Sequence, residues 1–151
     1  MRTTWVLLAD EARARFLELP DDGGDLREVD QMTHASSQAD IADLRRDAHG
    51  RRGHNDLRMG GNATASAGED ELHREADLFA RRVAERLSQA QQSQRYAELR
   101  VAAAPRFLGH LRQVLPRQVA DTVVEEIDKN LLQEDLCTLT RRLFPTRGRA
   151  P

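Results

Sequence analysis

The residue types best suited to meeting a polyanion lie in one stretch of the chain. Arg45, Arg46, Arg51, Arg52 and Arg58 stand with His49 and His54 against Asp47 and Asp56, among Gly50, Gly53, Gly60 and Gly61. A guanidinium presents a planar fork that fits phosphate. Each arginine placed on a phosphate releases counterions, so such a segment would bind RNA with a strong salt dependence. The stretch has no aromatic residue, so base stacking of the single-strand kind is not expected. The competing reading is a plain solvated loop.

Arg106 is the second candidate. It follows Pro105 at the start of a helical pattern, just after an apolar strand, and could meet an anion beside free backbone N–H groups. Pro105 removes one donor, and no Gly-rich turn precedes it, so a purely structural helix start competes. Asp10 ends the first apolar run, but a two-metal site needs several converging acids. The run Ala102-Ala103-Ala104 supplies none, so Asp10 reads as a turn residue. His34, His49, His54, His73 and His110 show no metal-ligand spacing, and no metal is expected. His73 and Asp77 are four apart and read as a surface pair. No Gly-x-x-x-x-Gly-Lys loop occurs, and no cofactor is expected. The sole cysteine, Cys137, lies among Leu136, Leu139 and Leu143 and reads as a core thiol.

Several short elements must position these groups. Trp5 to Ala9 reads as a buried strand and Arg13 to Leu19 as a second, with Ala14 and Phe16 on one face and Leu17 and Leu19 on the other. After the turn at Pro20-Asp21-Asp22-Gly23-Gly24, a third strand runs from about Leu26 to Thr33. Residues 35–68 read as a long mobile loop. Ser66-Ala67-Gly68-Glu69 has capping-box spacing. Leu72, Ala76, Phe79, Ala80, Val83 and Leu87 then recur at helical spacing, which predicts a helix over 69–92 with Leu72, Phe79, Val83 and Leu87 on the sheet. A strand through Leu99, Val101 and Ala103, a helix from Pro105 to Pro116, a strand at Val123 to Ile127 and a helix at Leu136 to Leu143 complete the order. A meander followed by crossover helices implies a mixed five-stranded α/β sheet, with the fourth and fifth strands parallel to the first. The chain reads as one domain over 1–144 with a disordered tail at 145–151.

The net charge of −2 hides an uneven distribution. Residues 1–30 hold Arg2, Arg13, Arg15 and Arg27 against a larger number of acids, while Arg81 to Arg117 is dominated by arginine, with Glu85 and Glu98 its only acids. Lys129 is the sole lysine, a bias that a GC-rich genome would also produce. The apolar opening is too short for a secretory signal, and no apolar stretch is long enough to span a bilayer. The expectation is a cytoplasmic protein without membrane insertion, of undefined oligomeric state.

Three segments carry a family resemblance. Trp5-Val6-Leu7-Leu8-Ala9-Asp10 with Ala12-Arg13-Ala14-Arg15, then Ala102-Ala103-Ala104-Pro105-Arg106-Phe107-Leu108-Gly109-His110-Leu111-Arg112, then Glu126-Ile127-Asp128-Lys129-Asn130-Leu131, resemble in order the bacterial proteins required for attachment to host cells. That family resembles the middle domain of archaeo-eukaryotic peptide-chain release factors. The resemblance implies an RNase-H-like sheet and a link to translation through ribosomal RNA or tRNA. Release factors carry Gly-Gly-Gln in the loop before their long helix, and Gly60-Gly61-Asn62 occupies that place here. Asn62 would then be the catalytic amide of a peptidyl-tRNA hydrolase, one methylene shorter than Gln. The leading expectation is a non-enzymatic module that contacts RNA through Arg45, Arg46, Arg51, Arg52, Arg58, Gly60 and Gly61. The alternatives are an interaction or regulatory protein affecting attachment, and a hydrolase acting through Asn62.

Overall fold

The computed structural model describes residues 2–34 and 61–146. Its elements are β1 (Thr4–Ala9), β2 (Arg13–Glu18), β3 (Arg27–Thr33), α1 (Gly61–Gln92), β4 (Glu98–Ala103), α2 (Pro105–Val114), α3 (Arg117–Ala120), β5 (Val123–Ile127) and α4 (Leu136–Leu143). The strands form one sheet in the order β3-β2-β1-β4-β5. β2 runs antiparallel to both β1 and β3, while β4 is parallel to β1 and β5 to β4. The expected mixed sheet is therefore present.

β1 is central, and all six of its residues are buried. Its side chains alternate between two cores, as the pleat requires. Trp5, Leu7 and Ala9 join Phe16, Phe79, Val83, Leu87 and Phe107 on one face. Val6 and Leu8 join Leu17, Leu26, Leu132, Leu139 and Leu143 on the other. The helices α1 and α2 thus cover one side and α4 the other. The turn before β3 uses Gly23 at φ +84, a conformation open to glycine without strain, and Asp22 Oδ1 accepts from the Gly24 N–H at 2.9 Å. α1 ends in a Schellman arrangement: Arg95 N donates to Ala90 O at 2.9 Å and Gln94 N to Gln91 O at 3.0 Å. Gln94 sits at φ 58 there, where glycine is usual.

Four expectations need correction. α1 begins at Gly61, so the loop expected over 35–68 loses its last eight residues, and Ser66-Ala67-Gly68-Glu69 lies inside the helix. Ala63, Ala65 and Ala67 are strong helix formers, and the stretch lacks a proline to stop propagation. Gly61 and Asn62 are accordingly in the first turn of a helix. Leu72 is 61% exposed and does not cover the sheet, whereas Phe79, Val83 and Leu87 are fully buried. The cause is length. α1 has 32 residues and spans about 48 Å at 1.5 Å per residue, against roughly 20 Å for six-residue β1. Leu72 lies in the exposed stretch Gly68–Arg74, ahead of Ala76, the first buried residue of α1 among those described.

Cys137 is exposed, not a core thiol. α4 turns Leu139, Thr140 and Leu143 inward, and Cys137 falls two residues from Leu139, on the far side of the helix. Asp77 accepts from Arg81 Nε at 2.9 Å instead of pairing with His73. The short α3 after Pro116 was not foreseen; its single turn is too brief for a periodic signal. The rest of the loop expected over 35–68, residues 35–60, falls outside the described residues.

Candidate functional site

A crevice of about 360 Å³ opens at the carboxyl ends of the parallel strands β1 and β4. Three parts of the chain build it. Glu11 and Ala12 come from the β1–β2 turn. Glu69, Leu72, His73, Glu75 and Ala76 come from α1, and Arg106 and His110 from α2. Open α/β sheets characteristically bind ligands at this edge, where strand connections diverge.

Local sequence explains each wall. Asp10 fixes the turn: its Oδ1 accepts from the Ala12 and Arg13 N–H groups at 2.8 Å each, and its Oδ2 accepts from Asn130 Nδ2 at 3.2 Å. Asp10 is the turn residue its type suggested. On α1, Glu69, Leu72, His73 and Ala76 follow i, i+3, i+4, i+7 spacing and share one face. On α2, Arg106 and His110 are four apart, while Phe107, Leu108 and Leu111 anchor the opposite face in the core. The two helices meet beneath the crevice, where the Phe79 and Phe107 rings lie 5.7 Å apart.

His34 supports the α1 wall from behind. Its Nε2 is 2.6 Å from Glu75 Oε2, and its ring lies 5.3 Å from that of Phe79. The His34 side chain is 5% exposed, and its Nδ1 has no hydrogen-bond partner among the described residues. The His73 and His110 rings are 5.6 Å apart at 44°, so an imidazole from each helix meets across the crevice.

The arginine-dominated stretch from 81 to 117 is less available than its count suggests. Arg81 bonds Asp77, Arg86 bonds Asp30 at 2.6 Å, Arg100 bonds Glu125 at 2.9 Å and Arg112 bonds Glu126 at 2.7 Å. Arg82 stacks over Phe79, and Arg95 over Trp5. Arg106 is exposed in the crevice with no ion pair among the described residues. It is thus free to take an incoming oxyanion through two parallel N–H donors. The imidazoles can donate, accept or stack, and Glu11 and Glu69 can accept. The described residues contain no group of three or more His, Cys, Asp or Glu placed to hold a metal ion.

Of the residues singled out in the sequence, the crevice takes Arg106, together with His73 and His110, which were weighed as metal ligands. Gly61 and Asn62 lie at the start of α1, eight and seven positions before Glu69. Arg45, Arg46, His49, Arg51, Arg52, His54, Arg58 and Gly60 lie outside the described residues. Apart from Arg106, sequence reasoning missed every wall residue, Glu11, Glu69, His73 and His110 among them. The available signal was the four-residue spacing of Glu69 with His73 and of Arg106 with His110.

Taken together, these features define a small mixed α/β protein with a polar crevice at the carboxyl edge of its parallel strands. The family model described as protein required for attachment to host cells matches residues 5–143, and the chain belongs to that family. No curated protein matches it. No helix among the described residues is long and apolar enough to cross a membrane.

Proposed function

We propose that this host-attachment family protein is a translation-associated binding module that contacts ribosomal RNA or tRNA with the carboxyl edge of its sheet. The observation that carries the reading is the exposed Arg106 guanidinium in the crevice, the one permanently charged cation among the described residues that line it. The covalent chain adds support. His34, bonded to the wall residue Glu75, leads directly into the segment that holds Arg45, Arg46, Arg51, Arg52 and Arg58. The kinship with the release-factor middle domain and the RNase-H-like sheet belongs to the same proposal. An antiparallel meander followed by parallel crossover strands is what that kinship implies, and the sheet has this order. Asn62 lies in the first turn of α1.

The test is sedimentation of lysate through sucrose gradients at low salt. The protein should travel with ribosomal subunits or tRNA. Replacing Arg51, Arg52 and Arg58 with Ala should reduce the salt slope of binding by about one unit per cation, with sequence preference unchanged. Asn62→Ala should leave affinity intact. If the parent protein stays at the top of every gradient, the RNA reading is wrong, and a non-RNA interaction protein acting in attachment takes its place.

A further inference from the structure

We propose that the crevice is a binding site for one nucleoside monophosphate unit, with Arg106 on the phosphate and the His73–His110 pair against the base. The inference rests on the RNA-contact reading only for where such a unit would come from. The site itself stands on its own geometry.

Four features select this ligand class. The volume of about 360 Å³ lies at the lower end of the range for small-molecule pockets and suits a ligand the size of one nucleotide. Arg106 is a permanent cation that recognises an oxyanion in a planar, bidentate way. The two imidazoles contact each other at 5.6 Å, so no ring can enter between them. Their outer faces can stack on a heteroaromatic base, as histidine does on unpaired nucleobases. Leu72, 61% exposed, and Ala76 give the apolar floor that a base or ribose edge would cover.

The carboxylates narrow the choice further. Glu75 is engaged by His34, but Glu11 and Glu69 face the crevice without ion-pair partners among the described residues. They can accept from ribose hydroxyls or an exocyclic amine. They also repel additional negative charge. One guanidinium beside two carboxylates suits a single phosphate and disfavours a triphosphate. The same chemistry is offered by a free nucleotide and by an unpaired nucleotide of an RNA chain.

The experiment is calorimetric titration of the full chain with AMP, ATP, adenosine and inorganic phosphate, with Arg106→Ala and His110→Ala as variants. Emission from the single tryptophan, Trp5, checks that each variant is folded. AMP should saturate at one equivalent and bind more tightly than ATP or phosphate. Arg106→Ala should weaken AMP about 10- to 100-fold and leave adenosine unchanged, as expected for one lost charge-assisted contact. His110→Ala should weaken AMP and adenosine alike. Displacement of AMP by a short single-stranded RNA identifies the unit as part of a chain, and failure to displace it identifies a free nucleotide. Either result supports the site. Absence of saturable AMP binding, or equal AMP affinity in the parent and in folded Arg106→Ala, overturns it. AMP binding that persists in a protein that never sediments with ribosomes or tRNA would retain the crevice and discard the translation reading.

Discussion

Phe79→Ala is the sharpest test of how α1 is held. Phe79 is fully buried, with its ring 5.7 Å from Phe107, 5.3 Å from His34 and 5.9 Å beneath the Arg82 guanidinium. Burial of a phenylalanine side chain is worth about 1.5–3 kcal/mol in transfer terms. Truncation also leaves a void. If roughly 60 Å³ stays empty after partial relaxation, about 24 cal/mol per Å³ adds some 1.4 kcal/mol. The sum is about 3–4.5 kcal/mol, a large share of the total stability of a domain this size. Leu72→Ala on the same helix is the control. At 61% exposure it should cost no more than about 0.5 kcal/mol. Urea unfolding followed by Trp5 emission measures both, since Trp5 is the sole tryptophan and lies in the same core as Phe79. A loss below about 1 kcal/mol for Phe79→Ala, or equal losses for the two variants, would refute the view that α1 is clamped at Phe79 and overhangs at Leu72.

Three further outcomes follow from other parts of the molecule. Gln94→Gly should stabilise the protein by about 0.5–1 kcal/mol, because Gln94 occupies the left-handed region at φ 58; an unchanged or lowered midpoint in the same urea assay would count against strain there. Tyr96, the only tyrosine, donates to Leu87 O at 3.0 Å, and burial pushes its hydroxyl up to about 12, with a hydrogen bond from Thr122 working the other way. The unfolded chain ionises this group near 10, so its contribution to stability is complete below pH 10 and is lost as pH rises towards 12; tyrosinate absorbance appearing near 10 in the folded protein would contradict this. Cys137 is exposed, so the folded protein should react with a thiol reagent at one equivalent without denaturant, and a thiol reactive only after unfolding would return it to the core.

The sheet was legible because its strands obey local rules. β1 is an unbroken apolar run, as a central strand covered on both faces should be, and the turn around Gly23 separates two alternating segments. Pro105 and Pro116 bracket the second long helix as their backbone limits dictate. The start of α1 was harder to see. A capping-box spacing at Ser66 competed with alanines that continue the helix, and the alanines prevailed. Leu72 fits the apolar period, but whether the sheet extends beneath it depends on strand length, which helix spacing does not encode. Cys137 was misplaced because three leucines surround it in sequence but only Leu139 and Leu143 are buried in the fold. The crevice draws on positions 11–12, 69–76 and 106–110, and only tertiary packing joins those three segments. Arg106 could be picked out alone because a cation after Pro105 at a helix start is a local signal.

The overhang of α1 makes this helix two bodies in thermodynamic terms. From Phe79 onward its unwinding would require the core to open, so those amides should exchange only with global unfolding. From Gly68 to Arg74 every residue of the helix is exposed, so this stretch gains little from packing and leans on local helix stability. Protection should therefore climb along the helix axis from Gly68 to its maximum beyond Phe79. The crevice wall at Glu69 to Ala76 lies across that gradient. Whatever occupies the crevice would act on a helix–coil equilibrium as well as on a pocket, holding the turns from Glu69 to Ala76 by mass action alone.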